Sequence, residues 1–181
     1  MCGSFCTFSR IMPELKRLVD AGYDVYPIMS EYSFATDTRF GKAGVFVNQI
    51  EQICGKKVIS TINDAEPIGP KALLDALIVA PCTGNTLGKL ACGITDTSVT
   101  MACKAHLRNA SPLIIGVSTN DGLGASARNI GMLLNVRNIY FVPYVQDDCM
   151  RKPASLVSDF TLIQETLELA LKNLQIQPLI K

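Results

Sequence analysis

The chain has 181 residues, 48% of them hydrophobic, and 17 basic side chains offset 16 acidic ones to a formal net charge of +1. That length makes one domain, residues 1–181, around one core, and scattered basic residues leave no electrostatic footprint for nucleic acid or an anionic membrane. No apolar run reaches the roughly 18 residues of a membrane-spanning helix and nothing at the start reads as a signal peptide, so a cytoplasmic small-molecule protein is expected. The seven cysteines form an odd set without paired metal spacing, which predicts reduced thiols and no metal site.

In chain order, Gly3 and Ser4 open a helix in which Ile11, Leu15, Leu18 and Val19 keep helical spacing, and Gly22 closes it. Small residues at a helix start let the backbone approach a phosphate. Val25 to Met29 reads as a short strand ending at Ser30. The stretch that follows is rich in hydroxyls and glycine, and it carries Arg39, whose forked donor face suits a carboxylate. A helix through Val45, Phe46, Ile50 and Ile53 comes next, and then a loop marked by Asp64, Glu66, Pro67, Gly69 and Pro70.

The most informative stretch runs from Ala76 to Asp96. The apolar run Leu77, Ile78, Val79 stops at Pro81, and Cys82, Thr83, Gly84, Asn85 and Thr86 form a polar turn. From Thr86 the positions Leu87, Leu90, Ala91 and Ile94 recur at helical spacing, so the turn hands over to a helix whose first N–H groups have no partner within the helix. The plainer use of Thr83 or Asn85 is a helix cap. Val99 to Leu107 continues as a helix that holds the one histidine, His106. A second β-branched run, Leu113 to Val117, ends at Ser118, Thr119, Asn120 and Asp121, so two strand ends are expected to present polar turns to one crevice. Gly122 and Gly124 read as loop geometry. Beyond them come a helix through Leu134, a strand from Ile139 to Val142, an exposed acidic turn at Gln146, Asp147 and Asp148, and an amphipathic helix from Ser158 to Leu174. Alternating strands and helices predict an α/β fold, a doubly wound, Rossmann-like parallel sheet with helices on both faces.

The order Pro81-Cys82-Thr83-Gly84-Asn85-Thr86, then Lys89, then Gly93-Ile94-Thr95-Asp96, resembles the signature of the flavin-binding cysteine decarboxylase superfamily, which has a flavoprotein fold. The run Thr36-Asp37-Thr38-Arg39-Phe40-Gly41 is similar to that of one branch of it, the dipicolinate synthase B subunits. The resemblance implies that FMN is held by Gly3, Ser4, Ser30, Pro81, Cys82, Thr83, Asn85, Thr86, Ser118 and Asn120. It also implies that a dicarboxylate substrate meets Arg39, Lys89 and Asn120. Its implied activity is oxidation of dihydrodipicolinate to dipicolinic acid together with the A subunit of dipicolinate synthase, in the mother cell of a sporulating bacterium. An aromatising oxidation moves two electrons, which side chains cannot accept, so FMN here or NADP with the A subunit is implied, as is a homo-oligomer. Relatives of this kind run an apolar strand straight into Gly-Ser, so the sequence is expected to begin late, with the first strand missing. Two departures bear on chemistry. The segment before Leu77 lacks the histidine of the decarboxylases, and of their Pro-Ala-Met-Asn turn only Asn120 remains. The alternatives are an FMN-dependent decarboxylase of the phosphopantothenoylcysteine type and a non-catalytic partner of the A subunit.

Overall fold

A computed structural model describes residues 1–181. Its sheet is built on β1 (Leu77–Cys82), β2 (Leu113–Thr119) and β3 (Ile139–Phe141), which run parallel with Leu77 opposite Leu113 and Leu113 opposite Ile139. Residues Leu113 to Ser118 are all buried, as expected of a strand covered on both faces. Side chains alternate across the sheet: Leu77, Val79, Leu113, Ile115, Val117, Ile139 and Phe141 join one core cluster, while Ala80, Ile114, Tyr140 and Val142 join the other. The period of two in the sequence therefore becomes two separate cores.

Helices fill both faces. α1 (Phe8–Asp20) and α8 (Ile163–Ala170) cover one, through Ile11, Leu18, Ile163 and Leu167. α5 (Gly84–Ala91), α6 (Ser98–Leu107) and α7 (Ala125–Leu134) cover the other, through Leu87, Val99, Ala102, Cys103, Ile130 and Leu133. Three shorter or peripheral helices, α2 (Glu31–Ala35), α3 (Ala43–Cys54) and α4 (Ile62–Ala65), complete the set, and no helix is long and apolar enough to cross a membrane.

The structure corrects the sequence reading in three places. The sheet is mixed: β4 (Tyr144–Val145) and β5 (Leu156–Ser158) form an antiparallel pair, and β5 runs antiparallel to the end of β2, with Ser118 opposite Val157. Ser158 therefore lies in a strand, and the helix expected from Ser158 to Leu174 shortens to α8. Residues expected to form a strand from Val25 to Met29 make a single parallel bridge, Ile28 to Ile59. Pro27 has no N–H to give to a ladder.

On the inner side of that segment lie Met1 and Cys2. The Met1 ammonium donates to Ile28 O at 2.6 Å, Ser30 N donates to Met1 O at 3.0 Å, and Cys2 N donates to Pro81 O at 3.2 Å. Met1 and Cys2 thus join residues 25–30 to β1 by backbone bonds. Beneath them an apolar cavity of about 370 Å³ is lined by Ile11, Leu18, Val25, Ile78, Ile163 and Leu167, among others. A segment of about six apolar, β-prone residues fused ahead of Met1 should lie in this slot and raise Tm by roughly 4 °C or more over a Gly/Ser segment of equal length. Equal melting temperatures would show that the cavity does not take a strand.

His106 is 1% exposed near the end of α6, and its Nε2 lies 3.0 Å from the Pro112 carbonyl, to which it donates. Burial holds its pKa below the usual 6.5 despite that bond and the nearby Asp75. The unfolded chain binds a proton that the folded imidazole resists, so this contribution is complete above the unfolded value and is lost as pH falls through the folded one. His106→Gln should flatten the fall in urea midpoint between about pH 7 and 5; an unchanged slope would exclude the histidine as its source.

Candidate functional site

The polar turns predicted after β1 and β2 do meet, and glycine sets how closely. Thr83 caps α5 by accepting from Thr86 N at 3.3 Å, and its hydroxyl lies 3.1 Å from that of Thr86, so the capping role read from the sequence holds for Thr83. Asn85 is exposed. Gly84, the first residue of the helix, faces the β2 turn: a Cβ there would lie 2.6 Å from Thr119 Oγ1, 2.7 Å from Ser126 Oγ and 2.8 Å from Asp121 Oδ1. Those atoms form one network. Asp121 accepts from the Thr119 hydroxyl and, at 2.8 Å, from the Ser126 hydroxyl, and these bonds hold its carboxyl below the usual carboxylate range. The sequence reading placed Thr119 and Asp121 in the turn without assigning them a role, and it missed Ser126. Gly84 between two polar residues at a helix start was the available sign of close approach.

Asp121 puts a negative charge beside the start of α5, where the helix dipole favours it. A second anion at that helix start is correspondingly disfavoured. Across from it, hydroxyls meet one another. Ser4 and Ser118, 114 residues apart, place their hydroxyl oxygens 2.8 Å from each other, and Thr7 Oγ1 donates to Ser4 O at 2.8 Å. Gly3 lies against the Tyr32 ring, which a Cβ would approach to 3.2 Å. Ser30 caps α2 by accepting from Ser33 N at 3.3 Å, its hydroxyl lies 2.6 Å from that of Ser33, and both residues donate to Met1 O. Ser4 and Ser118 are thereby bonded directly, while Ser30 through Met1 and Pro81 through Cys2 are tied to the chain that leads into Gly3 and Ser4.

The charged candidates are placed differently. Lys89 pairs with Asp96 at 2.8 Å, both belonging to the motif helix and its Gly-Ile-Thr-Asp ending, and this bond lowers the Asp96 pKa. Arg39 sits on the turn closed by Thr38 and Gly41, exposed, with its guanidinium 4.9 Å from the Phe40 ring centroid. That turn packs through Gly41 on Phe46 of α3, so no contact joins Arg39 to the serines. Asn120 is exposed at the tip of the β2 turn. Cys82 is fully buried; burial, with Cys2 and Cys103 adding to it, pushes its thiol pKa well above the usual value, so it lines the turn as an apolar group.

The Flavoprotein family model matches residues 1–152. The dipicolinate synthase B subunit of Bacillus subtilis (strain 168) is 42% identical over 180 residues, which is 99% of this chain and 90% of that protein. The crystal structure of the dipicolinate synthase B subunit from Bacillus halodurans C superposes with a TM-score of 0.91 at 42% identity, over 99% of this chain and 92% of that one. The FMN-dependent cysteine decarboxylase SpaF shares the fold, with a TM-score of 0.65 at 22% identity over 94% of this chain and 91% of its own.

The contact at Gly84 has a measurable consequence. Gly84→Ala should force the turn from Thr119 to Ser126 outward and destabilise the fold by about 2 kcal/mol in urea unfolding, in the range of other overpacked sites. An unchanged midpoint would mean that the two turns are free to separate.

Proposed function

The chain belongs to the flavoprotein family, and from that premise we propose that it is a B subunit of dipicolinate synthase, binding FMN in the crevice and acting with an A subunit to oxidise dihydrodipicolinate to dipicolinic acid. The observation that carries this reading is the Ser4–Ser118 pair at 2.8 Å, which sets hydroxyls from the helix start after Gly3 and from the end of β2 on one spot. The 42% identity with the Bacillus subtilis protein over nearly the whole chain supports the choice of reaction.

The residues present suit the flavin. Beside Gly3, the hydroxyls of Ser4, Ser30 and Ser118 can turn to donate to the phosphate, and Glu31, next to Ser30, is engaged with Ser98 instead. Asp121 keeps an anion away from the start of α5, leaving the Pro81–Thr86 turn to the uncharged ring. Bound FMN supplies a two-electron acceptor that the side chains lack. The exposed amide of Asn85 is a partner for the flavin, the exposed amide of Asn120 is a partner for the flavin and for a substrate carboxylate, and the guanidinium of Arg39 is a forked partner for another. Lys89 acts through Asp96, fixing the motif ending rather than meeting substrate directly. NADP belongs with the A subunit, and the setting is the mother-cell cytoplasm of a sporulating bacterium, with this chain in a homo-oligomer.

The decarboxylase alternative lacks its base. His106, on α6, is buried and donates to the Pro112 carbonyl, so this chain's one histidine is not available as that base. In a titration of the purified chain, FMN should bind with a flavin spectrum, and Asn85→Leu should weaken it at least about tenfold, the loss of one or more site hydrogen bonds, with Tm unchanged because the residue lies outside the core. Identical titrations for the two proteins would remove Asn85 from the site. A colourless wild-type chain that still activates the A subunit would make this a non-catalytic partner.

A further inference from the structure

Ser30 ends a segment that the sheet barely holds, because Ile28 makes its one bridge, to Ile59. Met1 holds it through Ile28 O and Ser30 N, and side chains add to that. Ser98, the first residue of α6, is 0% exposed and donates its hydroxyl to Met29 O at 2.6 Å. Glu31, next to Ser30, turns back on the same residue: one carboxylate oxygen accepts Ser98 N–H at 2.8 Å and the other lies 3.4 Å from the Ser98 hydroxyl. That N–H has no acceptor within α6, and the helix start favours a negative partner. Thr97 meanwhile caps the helix through Thr100, so Glu31 and Thr97 take different donors.

We propose that Glu31 is a positioning residue whose clamp on Ser98 holds Ser30 at the crevice and fixes one end of the loop that carries Arg39. The far end of that loop is fixed independently, where Asp37 Oδ1 accepts Ala43 N at 2.9 Å at the start of α3. Residues 31–42 are therefore strung between two carboxylate contacts with helix starts. Ser98 also follows directly on Thr97 and Asp96, so the clamp ties the Ser30 side of the crevice to the ending of the motif helix, across 67 residues of chain. Its effect on ligand binding rests on the flavin reading above; its effect on the loop does not.

The test uses the full chain with Glu31→Ala, Glu31→Gln and Ser98→Ala, read by amide hydrogen exchange and by FMN titration. Loss of a hydrogen-bonded charge should speed exchange in peptides covering residues 29–38 by about tenfold in Glu31→Ala and weaken FMN by a similar factor, with β1 and β2 unchanged. Glu31→Gln, which keeps an acceptor but not the charge, should fall between wild type and Glu31→Ala, and Ser98→Ala should loosen the same peptides. Unchanged exchange in residues 29–38 overturns the clamp, and a uniform increase that includes β1 and β2 reduces it to general stability. Faster exchange with unaltered FMN affinity overturns the positioning role. If the wild-type chain binds no FMN, the flavin reading fails while the exchange result still decides whether Glu31 holds the loop.

Discussion

The carboxyl end of the sheet depends on one close approach, that of Gly84 to the Thr119–Asp121–Ser126 network. With no side chain at Gly84, the start of α5 comes within contact distance of a hydrogen-bonded carboxylate. Any larger residue would have to part the two turns or break the network between them. The approach also distributes charge. Asp121 complements α5, while Ser4 and Ser118 meet through neutral hydroxyls, so the two turns differ in polarity.

Much of this architecture was legible because it is written at short range. Leu113–Val117 is apolar on both faces and long enough to announce a buried strand, Leu77–Val79 is marked by its stop at Pro81, and Leu87 and Leu90 fall on the helix where their spacing placed them. The β4–β5 pair was not legible, since strands of two and three residues carry no usable period. The segment from Val25 to Met29 looked like a strand from its composition, yet strand formation needs a neighbour, and Pro27 together with a single bridge to Ile59 leaves it extended without a ladder.

The site divides in the same way. Thr83 as a cap is a local property, readable from its place before a helix. The bond between Ser4 and Ser118 joins residues 114 apart, and Glu31 with Ser98 joins residues 67 apart, distances over which periodicity says nothing. A motif could name Ser4, Ser30 and Ser118 as relatives of one another through resemblance, but only the fold brings them together. Lys89 adds a partner that the motif did not announce: Asp96, seven residues on, pairs with it.

Burial sorts the seven thiols into two chemical populations. Cys2, Cys54, Cys82 and Cys103 are buried, and burial raises the pKa of Cys54 to about 11 and pushes those of Cys82 and Cys103 up as well, while Cys6, Cys92 and Cys149 are exposed. Because the thiolate is the species that oxidants and electrophiles attack, the protein meets them with a surface set only. Cys6, its sulfur 3.8 Å from Ser4 Oγ, is the member of that set nearest the crevice. The buried sulfur is thereby shielded from such reagents, and only Cys6, Cys92 and Cys149 meet them.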